Sequence, residues 1–148
     1  LTIQDDGCGM SPETLRLAHS PFGTHRTTRK VGMGIPLAEY NAAVTGGVLE
    51  IKSIPGQGTE LAATYYTHHI DCPPLGNLGD TMAALILANP DGPDFLISLQ
   101  SPEGKGTLDT REIRLVLGDL PLNTPEVMTW IIQSAKDKTR EIFGGELQ

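Results

Sequence analysis

Glycines separated by a single residue occur three times in the first 58 positions of this 148-residue chain: Gly7 and Gly9, Gly32 and Gly34, Gly56 and Gly58. Glycine gives up helix and strand propensity, and what it offers in return is bare backbone and access to positive φ. These pairs therefore cut the region into short segments, and each asks for a turn or a close approach. "LTIQD" reads as a short strand running into the first pair. "SPETLRLAH" reads as a helix with Ser11 at the N-cap, Pro12 at the first helical position and Glu13 in the first turn. "SPFGTHRTTRK" has no sustained periodicity and reads as a polar, basic loop. A helix follows the second pair, with Pro36 in its first turn, and Gly46-Gly47 ends it. "VLEIKSI" and "TELAATYYT", joined by "PGQG", read as a β-hairpin.

The pattern breaks at "HHIDCPPLGN", residues 68–77, where Pro73-Pro74 can continue neither helix nor strand. Beyond it, "LGDTMAALILAN" reads as a helix, "DFLISLQ" and "GTLDT" as strands around "SPEGKG", and "DTREIRLVLGD" as a helix capped by Asp109 or Thr110. A last helix is expected from Thr124 at its cap and Pro125, with Val127, Trp130, Ile131 and Ser134 forming a core-facing stripe. The expected organisation is one domain over 1–67, a linker over 68–77 and a small α+β extension over 78–148. The fold class is α+β, with helices packed on a sheet.

Charge separates the same regions. Residues 1–67 carry 5 basic and 6 acidic side chains, and residues 68–148 carry 6 and 12. A net charge of −7 argues against a nucleic-acid surface. No apolar run approaches the roughly 20 residues of a membrane span. Cys8 and Cys72 match no metal or disulfide framework, and a cytoplasmic setting with free thiols is expected.

No G-x-x-x-x-G-K-[ST] is present, and Leu37 stands where a dinucleotide fingerprint needs its third glycine. Another nucleotide geometry stays open. Gly32 and Gly34 at a helix start can present N–H groups and the positive helix end to an anion. Arg26, Arg29 and Lys30 precede them on the loop and can reach phosphate oxygens. Asp5, at the end of a strand beside two glycines, can accept a hydrogen bond from an exocyclic amine such as that of adenine.

"DDGCGM", "VGMGIP" and "GQGT" stand in the order and approximate spacing of the three glycine boxes of the GHKL ATPases. Residues 1–67 thus resemble the ATP-binding domain of that superfamily, and "SPFGTHRTTRKVGMGIPL" resembles the ATP lid and second box of its histidine-kinase branch. The resemblance implies an α/β sandwich with helices on one face of a largely antiparallel sheet. It implies that Asp5 reads the adenine amine, that Gly7, Gly9 and Met10 line the base pocket, and that Arg26, Thr28, Arg29 and Lys30 belong to the lid. Gly32, Met33, Gly34 and Ile35 would form the phosphate-facing turn, and Thr59 would lie near the adenine. It also implies Mg²⁺, held by an asparagine on an earlier helix that the family carries, so that ligand is expected before Leu1. ATPase or protein kinase activity is implied for an intact protein, while residues 1–148 alone are expected to be inactive. The alternative is a non-catalytic module that senses nucleotide or binds protein through the extension, whose partner is either unknown or a second copy. His68, His69, Asp71 and Cys72 read as a surface linker, because adjacent strand side chains point to opposite faces.

Overall fold

A computed structural model describes residues 1–20 and 32–144. The fold is mixed α+β, and its contacts divide it into two compact units, Leu1–Pro73 and Pro74–Gln148.

The first unit is built on a three-stranded antiparallel sheet of β1 (Thr2–Asp5), β2 (Leu49–Ile54) and β3 (Gly58–Ala63), in the order β1-β3-β2. Two helices precede the hairpin, α1 (Pro12–Ala18) and α2 (Gly34–Val44). The Ser11 hydroxyl accepts from the Thr14 N–H at 3.2 Å, so α1 starts where its cap residue requires. α2 ends as Gly46 enters positive φ and the Gly46 and Gly47 N–H groups reach back to Ala43 and Ala42. In the hairpin, Pro55 and Gly56 (φ +77°) occupy the corner of a turn closed by the Gln57 N–H on the Ile54 carbonyl. The register sets Ile3 beside Leu61 and Leu61 beside Ile51, so one face is apolar, while Gln4, Glu60 and Lys52 line the other. α2 packs on β2 and β3. Strand β3 is shorter than "TELAATYYT" suggests. It ends at Ala63; beyond it the Thr64 N–H donates to the Val48 carbonyl at 2.9 Å and the Tyr66 N–H to the Thr45 hydroxyl at 3.3 Å.

The second unit holds α3 (Leu78–Ala88), a hairpin of β4 (Leu96–Ser101) and β5 (Gly104–Asp109), α4 (Thr110–Leu117) and α5 (Pro125–Phe143). Asn77 caps α3, and Asp109 rather than Thr110 caps α4. Thr110 is wholly buried instead: its hydroxyl donates to Asp94 and accepts from the Phe95 N–H at 2.8 Å, which ties α4 to the start of β4. The core lies between α3 and α5 and includes Met82, Ile86, Leu122 and Ile131. The expected stripe on α5 needs correction at Trp130. The helix buries Val127, Met128, Ile131, Ala135 and Ile142, and Trp130 lies on the edge of that face, 54% exposed. Four positions suggested a stripe centred one residue away from the true one.

Candidate functional site

Strand β1 delivers Asp5 to the end of the sheet, where it pairs directly with Thr59 of β3. Paired positions in a sheet point to the same face, so the two residues that the resemblance places around adenine are neighbours. The chain then turns sharply. The Gly7 N–H donates to Asp5 Oδ1 at 2.9 Å, which holds the carboxylate in one orientation. A β-carbon on Gly7 would lie 2.8 Å from that oxygen. Among the described residues, nothing bonds to Oδ2, which leaves a strong acceptor for a donor from outside the chain.

The first and third glycine pairs interlock. Gly9 has φ +62°, and a β-carbon there would meet the Ile54 carbonyl oxygen at 2.0 Å. Gly58 has φ +106°, and its β-carbon would strike the Asp5 carbonyl oxygen at 1.9 Å. The two backbones therefore touch at both points, which only glycine allows. The Gly56 N–H donates to the Cys8 carbonyl at 2.8 Å and joins the loop after β1 to the hairpin turn.

Ser53 completes the junction and carried no mark in the sequence. Its hydroxyl accepts from the Met10 N–H at 2.7 Å, is 3.1 Å from the Gly58 carbonyl and lies 2.9 Å from the Thr59 hydroxyl. One small side chain thus ties the end of the first box to Thr59. The one available signal was the hairpin count: Ser53 is the cross-strand partner of Thr59.

The second glycine pair makes a different surface. α2 has no side-chain cap and no acid in its first turn. The Leu37 N–H reaches the Met33 carbonyl, but no described residue accepts from the N–H groups of Gly34 or Ile35. Among the described residues, a β-carbon on Gly34 would meet nothing within 4 Å. Gly32 and Ile35 are half-buried and Met33 is 46% exposed. No hydrogen bond among the described residues joins this turn to Asp5. Arg26, Thr28, Arg29 and Lys30 lie outside the described residues. α1 and α2 meet through His19 Nδ1 and Glu39 Oε2, 3.0 Å apart.

This arrangement suits an adenine nucleotide on three counts. Among the described residues, it has a carboxylate oriented through one oxygen with the other unbonded, close backbone contact at Gly9 and Gly58, and a helix start whose Gly34 and Ile35 N–H groups have no acceptor. Among the described residues, no group of three His, Cys, Asp or Glu side chains could hold a metal. His69 and Asp71 are exposed, with the Asp71 N–H donating to His69 Nδ1.

A family model described as histidine kinase-, DNA gyrase B- and HSP90-like ATPase matches residues 1–68. Residues 1–68, under half of the chain, are similar to this GHKL family. They form an ATP-binding domain of the histidine-kinase-like ATPase type. The non-motile and phage-resistance protein of Caulobacter vibrioides is 32% identical over 76 residues, which is 48% of this chain and 9% of that protein. The C4-dicarboxylate transport sensor protein DctB of Pseudomonas aeruginosa is 40% identical over 52 residues, 34% of this chain and 8% of that protein. The chain spans under a tenth of the length of both relatives. No solved structure matches it. Among the described residues, no helix is long and apolar enough to cross a membrane.

Proposed function

We propose that Asp5 binds the exocyclic amine of adenine, with Gly7, Gly9 and Met10 forming the surface on which the base rests and Thr59 beside it. Gly32, Met33, Gly34 and Ile35 present the start of α2 to the phosphates, and Arg26, Thr28, Arg29 and Lys30 approach from the lid. The observation that carries this reading is the placement of Asp5 opposite Thr59, with its carboxylate oriented by the Gly7 N–H. ATP, with ADP as product, is the ligand. Mg²⁺ would be held by the phosphates and by a ligand outside the described residues, because phosphoryl transfer depends on the metal. The whole protein acts in this reading as a histidine-kinase-like ATPase or protein kinase. Cys8 and Cys72 are free thiols, which fits the cytoplasm, where ATP is abundant. The 78–148 extension serves to bind a protein partner.

Isothermal titration of ATP and ADP, with and without Mg²⁺, tests the site. Asp5→Asn should weaken binding at least tenfold, since it removes a charge-assisted acceptor worth about 1.5 kcal/mol or more. Equal affinity in both proteins, each shown to be folded, would remove Asp5 from the site.

A further inference from the structure

The second unit carries a groove of about 570 Å³ between α4, α5 and the end of β5. Its floor is apolar, with Ile113 and Val127 buried there. Its walls are apolar too, yet open: Trp130 is 54% exposed and Val116 is 88% exposed. Leu115, next to Val116 on the same short helix, is 84% exposed. α4 therefore serves the core with Ile113 and turns a second apolar face outward. Soluble domains seldom leave contiguous apolar surface without a partner. An open apolar groove suits the row of side chains on an amphipathic helix better than a small molecule.

Charge decides what kind of helix. Glu112 and Glu126 line the groove, and among the described residues neither carboxylate makes an ion pair. Asp109 also lines it but is held by the Arg111 guanidinium at 2.6 Å. Lys138 is the one basic side chain among the lining residues. Residues 74–148 carry 6 basic and 11 acidic side chains. A second copy would set acid against acid at the rim, which costs affinity, whereas a cationic partner is drawn in.

We propose that this groove docks a basic amphipathic helix of a partner protein, with apolar side chains against Trp130 and Val116 and lysines or arginines over Glu112 and Glu126. The inference rests on the reading of the extension as partner-binding, gives that partner its chemistry, and is independent of nucleotide binding.

Trp130 is the single tryptophan of the chain, so its emission reports the groove without a label. The full 148-residue chain would be titrated with a synthetic helical peptide of leucine and lysine, and with its leucine–glutamate counterpart. The lysine peptide should shift Trp130 emission to the blue and bind, and the glutamate peptide should do neither. Glu112→Gln with Glu126→Gln, or Val116→Lys alone, should weaken binding at least tenfold. Glu103→Gln with Glu141→Gln removes the same charge elsewhere on the unit and should leave binding within twofold. All these positions are exposed, and circular dichroism would confirm that the variants are folded. Equal weakening by the two glutamine pairs, or binding without an emission shift, would overturn the proposal. Self-association of the chain that Val116→Lys abolishes would overturn it as well, by seating a second copy in the groove while keeping the extension's partner-binding role.

Discussion

The two units hold their shape by different means. In the second, large side chains are wholly buried, Met82, Ile86, Leu122 and Ile131 among them. In the first, the buried apolar residues among those described are Ala42, Leu49 and Ala63. Order there comes from backbone contact: Gly9 against Ile54, Gly58 against Asp5, and Ser53 bridging Met10 and Thr59. A packed core tolerates change at its surface and suffers when hollowed. A backbone junction has little to hollow, but any added atom forces it apart.

The sharpest way to break this comparison is to hollow the core. Ile131→Ala should destabilise the second unit by about 3 kcal/mol, because the side chain is 0% exposed. Thermal unfolding should then separate into two steps, and ATP affinity at 20 °C or so should stay within twofold of the parent. A proportionate loss of ATP binding would show that the first unit depends on that core.

Adding one carbon should damage the other unit next most. Gly58→Ala places a β-carbon where the Asp5 carbonyl oxygen lies, at a φ that alanine resists. We expect a loss of about 2 kcal/mol in the first unit's transition and ATP binding too weak to measure by titration. Gly56→Ala is the partner experiment. Its φ is also positive, but its β-carbon meets nothing within 4 Å, so it should cost less than Gly58→Ala. Equal costs would mean that backbone angle, not contact with Asp5, explains the glycines.

Removing one hydroxyl sharpens the point further. Ser53→Ala leaves the Met10 N–H without its acceptor and should cost about 1 kcal/mol, with a several-fold loss of ATP affinity read by the same titration. The smallest effect belongs to the helix start at Asp109. The side-chain hydrogen bond from Arg111 holds the Asp109 carboxyl below its ordinary value. A lowered pKa stabilises the fold above the ordinary carboxylate range, and the gain disappears as pH falls through the native value. The melting temperature of Asp109→Asn should therefore lie slightly below the parent at pH 7, and the two should converge in acid.

Much of this was legible along the chain because it is local. Ser11, Asn77 and Asp109 cap the helices that follow them, and Pro55-Gly56 turn the hairpin. Those features depend on residues two or three apart. Asp5 stood out only in company: alone, an acid ahead of a glycine turn reads as a cap, and the other two glycine pairs changed that reading. Ser53 did not, because a serine in a strand is unremarkable until the register sets it opposite Thr59. Trp130 was misplaced for a related reason: four positions spread over eight residues fix the centre of a helix face only loosely, and one position on a helix is a turn of about 100°.

By itself, then, the sequence determined where most of the described elements lie, that the chain changes character at Pro73-Pro74, and which family residues 1–67 resemble. These are matters of backbone angles and of neighbours along the chain. Only the tertiary structure decided that Asp5 and Thr59 are paired, that Ser53 ties Met10 to Thr59, and that Trp130 opens a groove instead of filling a core. Each depends on residues brought together across strands or between helices, where register and packing select one partner from many that the sequence alone allows.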